Sequence, residues 1–253
     1  MLTEKQFLTY LEDANESFSG WDFSFLSETG RVQNQLLSWS YGSMVMSLVH
    51  NAQSMLDMGT GGGEFLSKIK PYPQTVFATE AYLPNIPIAK KRLEPLGVKV
   101  VQIDDDSNLP FEDRGFDLII NRHESYSPKE VRRIISDHGV FLTQQAGGTD
   151  CSQINEHLGV PSNDEFIHWN LNYAIEELRD NHFKVNFSKE EFPIQRFYDI
   201  GALVYYLKAI PWQVPGFTIE QYIDKLHRIH QLIQSKGNFD VKQHRFIIKA
   251  EAI

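Results

Sequence analysis

Short apolar runs recur along the middle of the chain, each followed by a stretch with helical spacing. The runs are Met55-Leu56 with Met58, Thr75–Glu80, Val98–Ile103, Phe116–Asn121 and Val140–Thr143. Runs this short, bounded by Gly, Pro and acidic residues, predict buried strands. Between them, Pro84 and Pro87 suit a helix start, with Gly97 as its stop. Ser127 is placed to cap a helix with Pro128 at its first position, running to His138-Gly139. Leu171, Ala174, Ile175 and Leu178 form one stripe of a further helix to about Asn181, and a strand begins near Phe183. This alternation, from Ser54 to about Val185, predicts an α/β fold with a mainly parallel, doubly wound sheet covered on both faces.

The flanks read differently. Thr3 and Gln6 can form a weak capping box for a first helix carrying Phe7, Leu8 and Leu11, which breaks at Ser19-Gly20. An aromatic stretch, Trp21 to Leu26, and a polar turn at Gly30-Arg31 precede a helical pattern of Met44, Val45, Leu48 and Val49. Residues 1–52 are therefore expected to form an N-terminal helical cap, and 53–253 the main domain with C-terminal helical insertions. Phe197–Leu207 predicts a buried helix or strand, and the loop through Pro211, Trp212 and Phe217 is placed to close over a pocket. Tyr222–Ile233 reads as an amphipathic helix and His244–Ala250 as the last strand.

The most informative stretch is Asp57-Met58-Gly59-Thr60-Gly61-Gly62-Gly63-Glu64. A strand leads in and a helix-compatible run, Glu64–Ile69, leads out. Glycines in such a turn let the backbone approach a ligand, and a helix start offers free N–H groups. A dinucleotide fingerprint would need Gly or Ala where Glu64 stands. Glu64 and Asp57 instead suit a ligand with a cationic amine and no phosphate.

The turn resembles the first motif of class I S-adenosylmethionine (SAM)-dependent methyltransferases, an acidic residue followed by G-x-G-x-G. Three further motifs continue the resemblance. Glu80 ends the second strand at about the 20-residue spacing of a ribose-binding acid. Asp105, four positions before Leu109-Pro110-Phe111, resembles the third motif, and Asn121 follows the fourth strand. The resemblance implies a seven-stranded sheet with an antiparallel last strand, and SAM as cofactor. It implies cofactor contacts from Asp57, Gly59, Thr60, Gly61, Gly63, Glu80, Asp105, Asp106 and Asn121. Asp105 would accept from the adenine amine, with the Asp106 N–H facing the ring. In this family the segment before the first strand often covers the cofactor, so Arg31, Trp39 and Tyr41 are candidates for a lid. The fourth-strand edge faces the methyl acceptor. There Arg122 can bind an anion, and His123 can act as a general base oriented by Glu124. The family's Asn-Pro-Pro-Tyr signature of amino-group methylation is missing from this edge.

Bulk properties narrow the partners. The 253 residues carry a formal net charge of −9, which argues against a large nucleic-acid footprint and for a small-molecule acceptor. The one Cys excludes an intrachain disulfide and fits a reducing, cytoplasmic setting. No run is long and apolar enough to suggest a signal peptide or a membrane span. His227 and His230 lie one turn apart and Asp104–Asp106 are adjacent, but no complete metal-ligand set is evident, so no metal is expected. RNA methylation, a non-catalytic SAM-binding module and a nucleotide-dependent oxidoreductase stand as alternatives. The oligomeric state is open.

Overall fold

The computed structural model describes residues 2–16, 18 and 23–253. The break expected at Ser19-Gly20, together with Trp21 and Asp22, lies outside these residues, as does the Thr3 side chain of the expected capping box. The chain opens with α1 (Leu2–Asp13), α2 (Ser24–Ser27), β1 (Val32–Asn34) and α3 (Tyr41–Val49). The central alternation is β2 (Ser54–Met58), β3 (Thr75–Glu80), α4 (Ile86–Leu93), β4 (Lys99–Gln102), β5 (Phe116–Arg122), α5 (Pro128–Ile134) and β6 (Ile135–Ala146). Then follow α6 (Ser152–Leu158), α7 (Leu171–Asp180), β7 (Phe183–Glu191), β8 (Ile194–Phe197), α8 (Ile200–Ala209), α9 (Ile219–Lys236), β9 (Phe239–Lys242) and β10 (Arg245–Ala252).

Seven strands form the main sheet in the order β4-β3-β2-β5-β6-β10-β7. β10 runs antiparallel to both neighbours, while β2 pairs in parallel with β3 on one side and β5 on the other. The chain's direction of travel across the sheet reverses at β2. In open α/β sheets the crevice at that reversal, beyond the carboxyl ends of the strands, is where ligands bind. The Gly-rich turn and the Asn121–Glu124 segment both sit there.

Alternate strand residues face opposite sides, so the sheet carries two cores. Leu118 and Ile120 pack with Val45 and Val49 of α3 and Ala89 and Leu93 of α4. Ile119, between them in sequence, packs on the other face with Val131 and Ile134 of α5 and Ala174 and Leu178 of α7. A third core joins Phe7 and Leu11 of α1 to α8 and α9, with Phe197, Phe239 and Val241 from the small sheet. That sheet, β1-β8-β9, is antiparallel and was not foreseen; its strands run only three or four residues each. Cys151 belongs to this third core, fully buried, and its Sγ faces Gln195 Oε1 at 3.3 Å.

Three expectations need correction. The run after the Gly-rich turn forms only a short 3-10 turn at Leu66–Lys68, because Pro71 and Pro73 follow at once and disfavour helix before them. The helix opened by Ser127 ends at Ile134, and the fifth strand of the parallel series starts at Ile135, not Val140. His138-Gly139 is an irregularity inside that strand: His138 has φ +64°, and a Cβ on Gly139 would lie 2.7 Å from Ile135 Cγ1. Finally, Val214 and Phe217 of the loop expected over a pocket pack into the third core instead.

One ion pair ties the N-terminal segment to that core. Arg31 donates to both Asp199 oxygens at 2.8 and 2.6 Å and rests on the Phe25 ring. Asp199 also caps α8, accepting from Ala202 N–H at 2.8 Å. Both side chains are largely buried, at 14% and 8% exposure. Breaking a buried pair strands the remaining charge, so Arg31→Ala should lose about 3–5 kcal/mol of stability in urea unfolding. A loss below about 1 kcal/mol, the range of surface pairs, would show that the pair holds nothing together.

Candidate functional site

β2 delivers Asp57 to the crevice, and the turn beyond it is built from left-handed glycines: φ is +67° at Gly59, +62° at Gly61 and +79° at Gly63. Two of them are also fixed by close packing. A Cβ on Gly59 would stand 2.2 Å from Glu124 Cγ, and one on Gly63 would stand 2.7 Å from Leu93 Cγ. The turn is pinned to β3 by Thr60 N–H donating to Thr79 O at 2.9 Å and Gly59 N–H to Thr79 Oγ1 at 3.3 Å. Glu64, whose charge argued against a phosphate ligand, is paired with Arg92, which also donates to Gly62 O.

Four carboxylates converge around this turn. Asp57 is 5% exposed, and burial, with Glu80 adding to it, pushes its pKa up to about 7 despite the Thr60 hydroxyl and Arg122 nearby. Burial likewise raises Glu124 to about 7, with Asp106 and Glu80 adding repulsion. Glu80 is raised by burial, an effect opposed by the N–H of Tyr82 at 2.8 Å and by Gly61, Asn85 and Ala81. Asp106 is raised by burial and receives the Ser125 hydroxyl. Acids that repel one another in a low-dielectric recess are stabilised by a cation placed among them. Asp105, by contrast, is exposed and turned toward its own loop, accepting from Ser107 N–H at 2.7 Å and Ser107 Oγ at 2.5 Å.

The motif loop Leu109–Phe111 is clamped from α5. Glu130 accepts the Leu109 N–H at 2.7 Å, and Arg133 donates to Leu109 O at 2.9 Å and Phe111 O at 2.8 Å. Sequence reading missed this pair, although an acid and a base three apart on a Pro-started helix are a visible signal. Asn121 is fully buried, and its Oδ1 accepts from Thr143 Oγ1 at 2.9 Å and Gln145 Nε2 at 2.6 Å. Its side chain thus braces the β5–β6 edge.

On the other side of the crevice the charge changes sign. The Arg122 guanidinium lies 5.5 Å from the Phe65 ring and 5.9 Å from that of Tyr41. His123 takes the left-handed φ of +60° and donates its N–H to Gln144 O at 2.8 Å. His123 is exposed over part of its surface, while the protein around its ring desolvates it. That desolvation, followed by the charges of Arg245 and Arg122, holds its pKa well below the usual imidazole value. The ring Nε2 is 3.1 Å from Gln144 Nε2, and Gln144 Oε1 accepts the Trp39 indole N–H at 2.8 Å. Of the lid candidates, Trp39 therefore joins the site, Tyr41 lies buried beneath Arg122, and Arg31 is engaged with Asp199 elsewhere. Among the described residues no cluster of three His, Cys, Asp or Glu is arranged to hold a metal, and no helix is long and apolar enough to cross a membrane.

The glycine cradle, the acidic recess and the strand order invite comparison with known proteins. A family model described as a methyltransferase domain matches residues 56–142. No curated protein sequence matches the chain. Among solved structures, a provisionally assigned methyltransferase of Bacillus halodurans C-125 superposes with a TM-score of 0.61 at 16% identity, covering 84% of this chain and 99% of its own. The YcgJ protein of Bacillus subtilis gives 0.58 at 16% identity, covering 83% and 97%. The (4+2)-cyclase SpnF gives 0.50 at 13% identity, covering 83% and 80%. At such identities the structures speak for the fold, and the methyltransferase-domain match speaks for residues 56–142. The stretch it spans opens on the strand that carries Asp57 and closes on the strand beside Asn121, so a methyltransferase-domain match covers the glycine cradle and the acidic recess, within the α/β fold of class I methyltransferases.

Proposed function

We propose that this enzyme transfers the methyl group of SAM to a small-molecule acceptor by in-line displacement. The observation that supports this most is the set of mutually repelling carboxylates around a glycine cradle. Such a recess fits the sulfonium and ammonium groups of SAM and disfavours the pyrophosphate of a dinucleotide. In this reading Asp57, Gly59, Thr60, Gly61 and Gly63 hold the methionine part. Glu80 accepts from the ribose hydroxyls, and Asp105, Asp106 and Asn121 border the adenine and the cofactor's inner edge. Residues 1–52 act as a cap on a SAM-binding domain of 53–253. When bound, SAM supplies an electrophilic methyl group, so the protein's task is chiefly orientation, which can be worth about 7–11 kcal/mol. Arg122 and His123 face the acceptor. The acidic surface balance, at −9, favours a small molecule over RNA.

Calorimetric titration with SAM, S-adenosylhomocysteine and NADH tests the cofactor. SAM and S-adenosylhomocysteine should bind, with about 2 kcal/mol or more lost in Glu80→Ala, where ribose hydroxyls lose their acceptor. The exposed Asp105 should cost less when changed to Ala. NADH binding alone, or binding of none of the three, would sink the methyl-transfer reading.

The acids also set a pH dependence. A cationic ligand binds their ionised forms, so SAM affinity should rise as pH increases through about 7, by at most about tenfold per unit for each proton displaced. Without ligand the sign reverses. An acid raised from about 4 to about 7 on folding stabilises the fold below pH about 4, and that stability is lost as pH rises through 7. Asp57→Asn should therefore gain stability relative to the parent protein between about pH 5 and 8, and should bind SAM with a flatter pH profile. Parallel stability curves for the two proteins would show that Asp57 is ionised at no cost.

A further inference from the structure

The contacts around His123 determine which of its nitrogens carries the proton. An indole N–H donates and never accepts. The Gln144 atom 2.8 Å from Trp39 Nε1 is therefore the carbonyl oxygen, and the atom turned toward His123 is the NH2 group. That group donates, so the His123 Nε2 it meets at 3.1 Å presents a lone pair. The ring proton is left on Nδ1. Protonating Nε2 would set two N–H groups against each other. The charged groups facing the ring, Arg122 from β5 and Arg245 from β10, oppose a second proton as well. Arg245 stays charged, bound to Asp150 Oδ1 at 2.5 Å.

We propose that Gln144, oriented by Trp39, is a positioning residue that fixes His123 as a hydrogen-bond donor to the cleft, and that the methyl acceptor is a small molecule presenting an oxyanion to His123 and Arg122. This rests on the methyl-transfer reading. It replaces the general base expected from the sequence by a donor. A base is needed only when the acceptor must shed a proton. An acceptor that arrives as an oxyanion already holds the attacking electron pair: its oxygen bonds the methyl carbon, the S–C bond breaks, and that electron pair stays on sulfur. The cation and the anion that enter become a neutral ether or ester and a neutral thioether. The crevice is divided to match. Asp57, Glu80, Asp106 and Glu124 gather on the side that takes the cation, and Arg122 and His123 stand on the side that takes the anion, while Arg245 behind them is held by Asp150.

The tautomer is read by nitrogen NMR on protein labelled at histidine, in complex with S-adenosylhomocysteine, with His123→Asn used to assign the signals. His123 should show a neutral ring protonated at Nδ1 between about pH 6 and 8. Gln144→Glu places a carboxylate against Nε2 and should move the proton there. Trp39→Phe frees the amide to turn and should give a mixture of tautomers. A ring protonated at Nε2, or doubly protonated, in the parent complex would overturn the positioning role. Failure to bind S-adenosylhomocysteine at all would overturn the methyl-transfer reading instead. The acceptor class is tested on the same complex with benzoate and benzamide, which share a shape and differ in charge. Benzoate should bind at least about tenfold tighter, with the advantage lost in Arg122→Met and partly restored in Arg122→Lys. Equal binding of the two, including no binding of either, would overturn the anionic acceptor.

Discussion

The close approach of Glu124 to Gly59 is the constraint on which this site depends. The end of β2 and the segment leaving β5 meet so tightly that no side chain fits at the first turn glycine. The parallel register that pairs Asp57 with Ile120 and Met58 with Asn121 brings them together. Burying acids there is unfavourable for the protein alone, and burial is the main cause raising both Asp57 and Glu124. The unfavourable burial becomes useful once a cation enters, because the same repulsion turns into attraction for a positive ligand.

Much of the acidic side of the crevice was legible in the chain. Strand Thr75–Glu80 was placed at its observed limits, and Asp57, the turn glycines and Glu80 lie at the strand ends and turn expected of them. Local sequence suffices for that side because each motif is a strand end with its own following turn. The side of the crevice around Arg122 and His123 is another matter. Trp39 meets Gln144 across 105 positions of sequence, and Arg245 reaches His123 from the last strand. Only the sheet order joins these segments, and no spacing in the chain announces it. The helix misplaced after the turn and the strand begun late at Val140 share one cause. In both places residues of ambiguous preference were settled by neighbours: prolines in one, pairing of Ile135 with Phe116 in the other.

Outside the sheet, the third core gathers segments from both ends of the chain. α1 packs beside α8 and α9, and β1 pairs with β8, so the N-terminal segment is anchored to residues nearly two hundred positions away. Asp199 serves twice there, capping α8 and holding Arg31. From that anchor the chain runs through Trp39 to α3, so the segment that orients Gln144 is tethered at both ends, by the small sheet and by the main core. A rigid tether suits a residue whose part is to set one amide the right way round.

The single cysteine has a practical consequence. Cys151 is fully buried, and burial drives its thiol well above the ordinary range, leaving almost no thiolate to react. The native chain is in effect silent toward alkylating dyes. A cysteine introduced at an exposed position such as Leu36, which is 91% accessible and three residues before Trp39, would be the sole reactive thiol. One fluorophore could then be attached beside the tethered segment, with no native thiol first removed, to report its movements as ligands come and go.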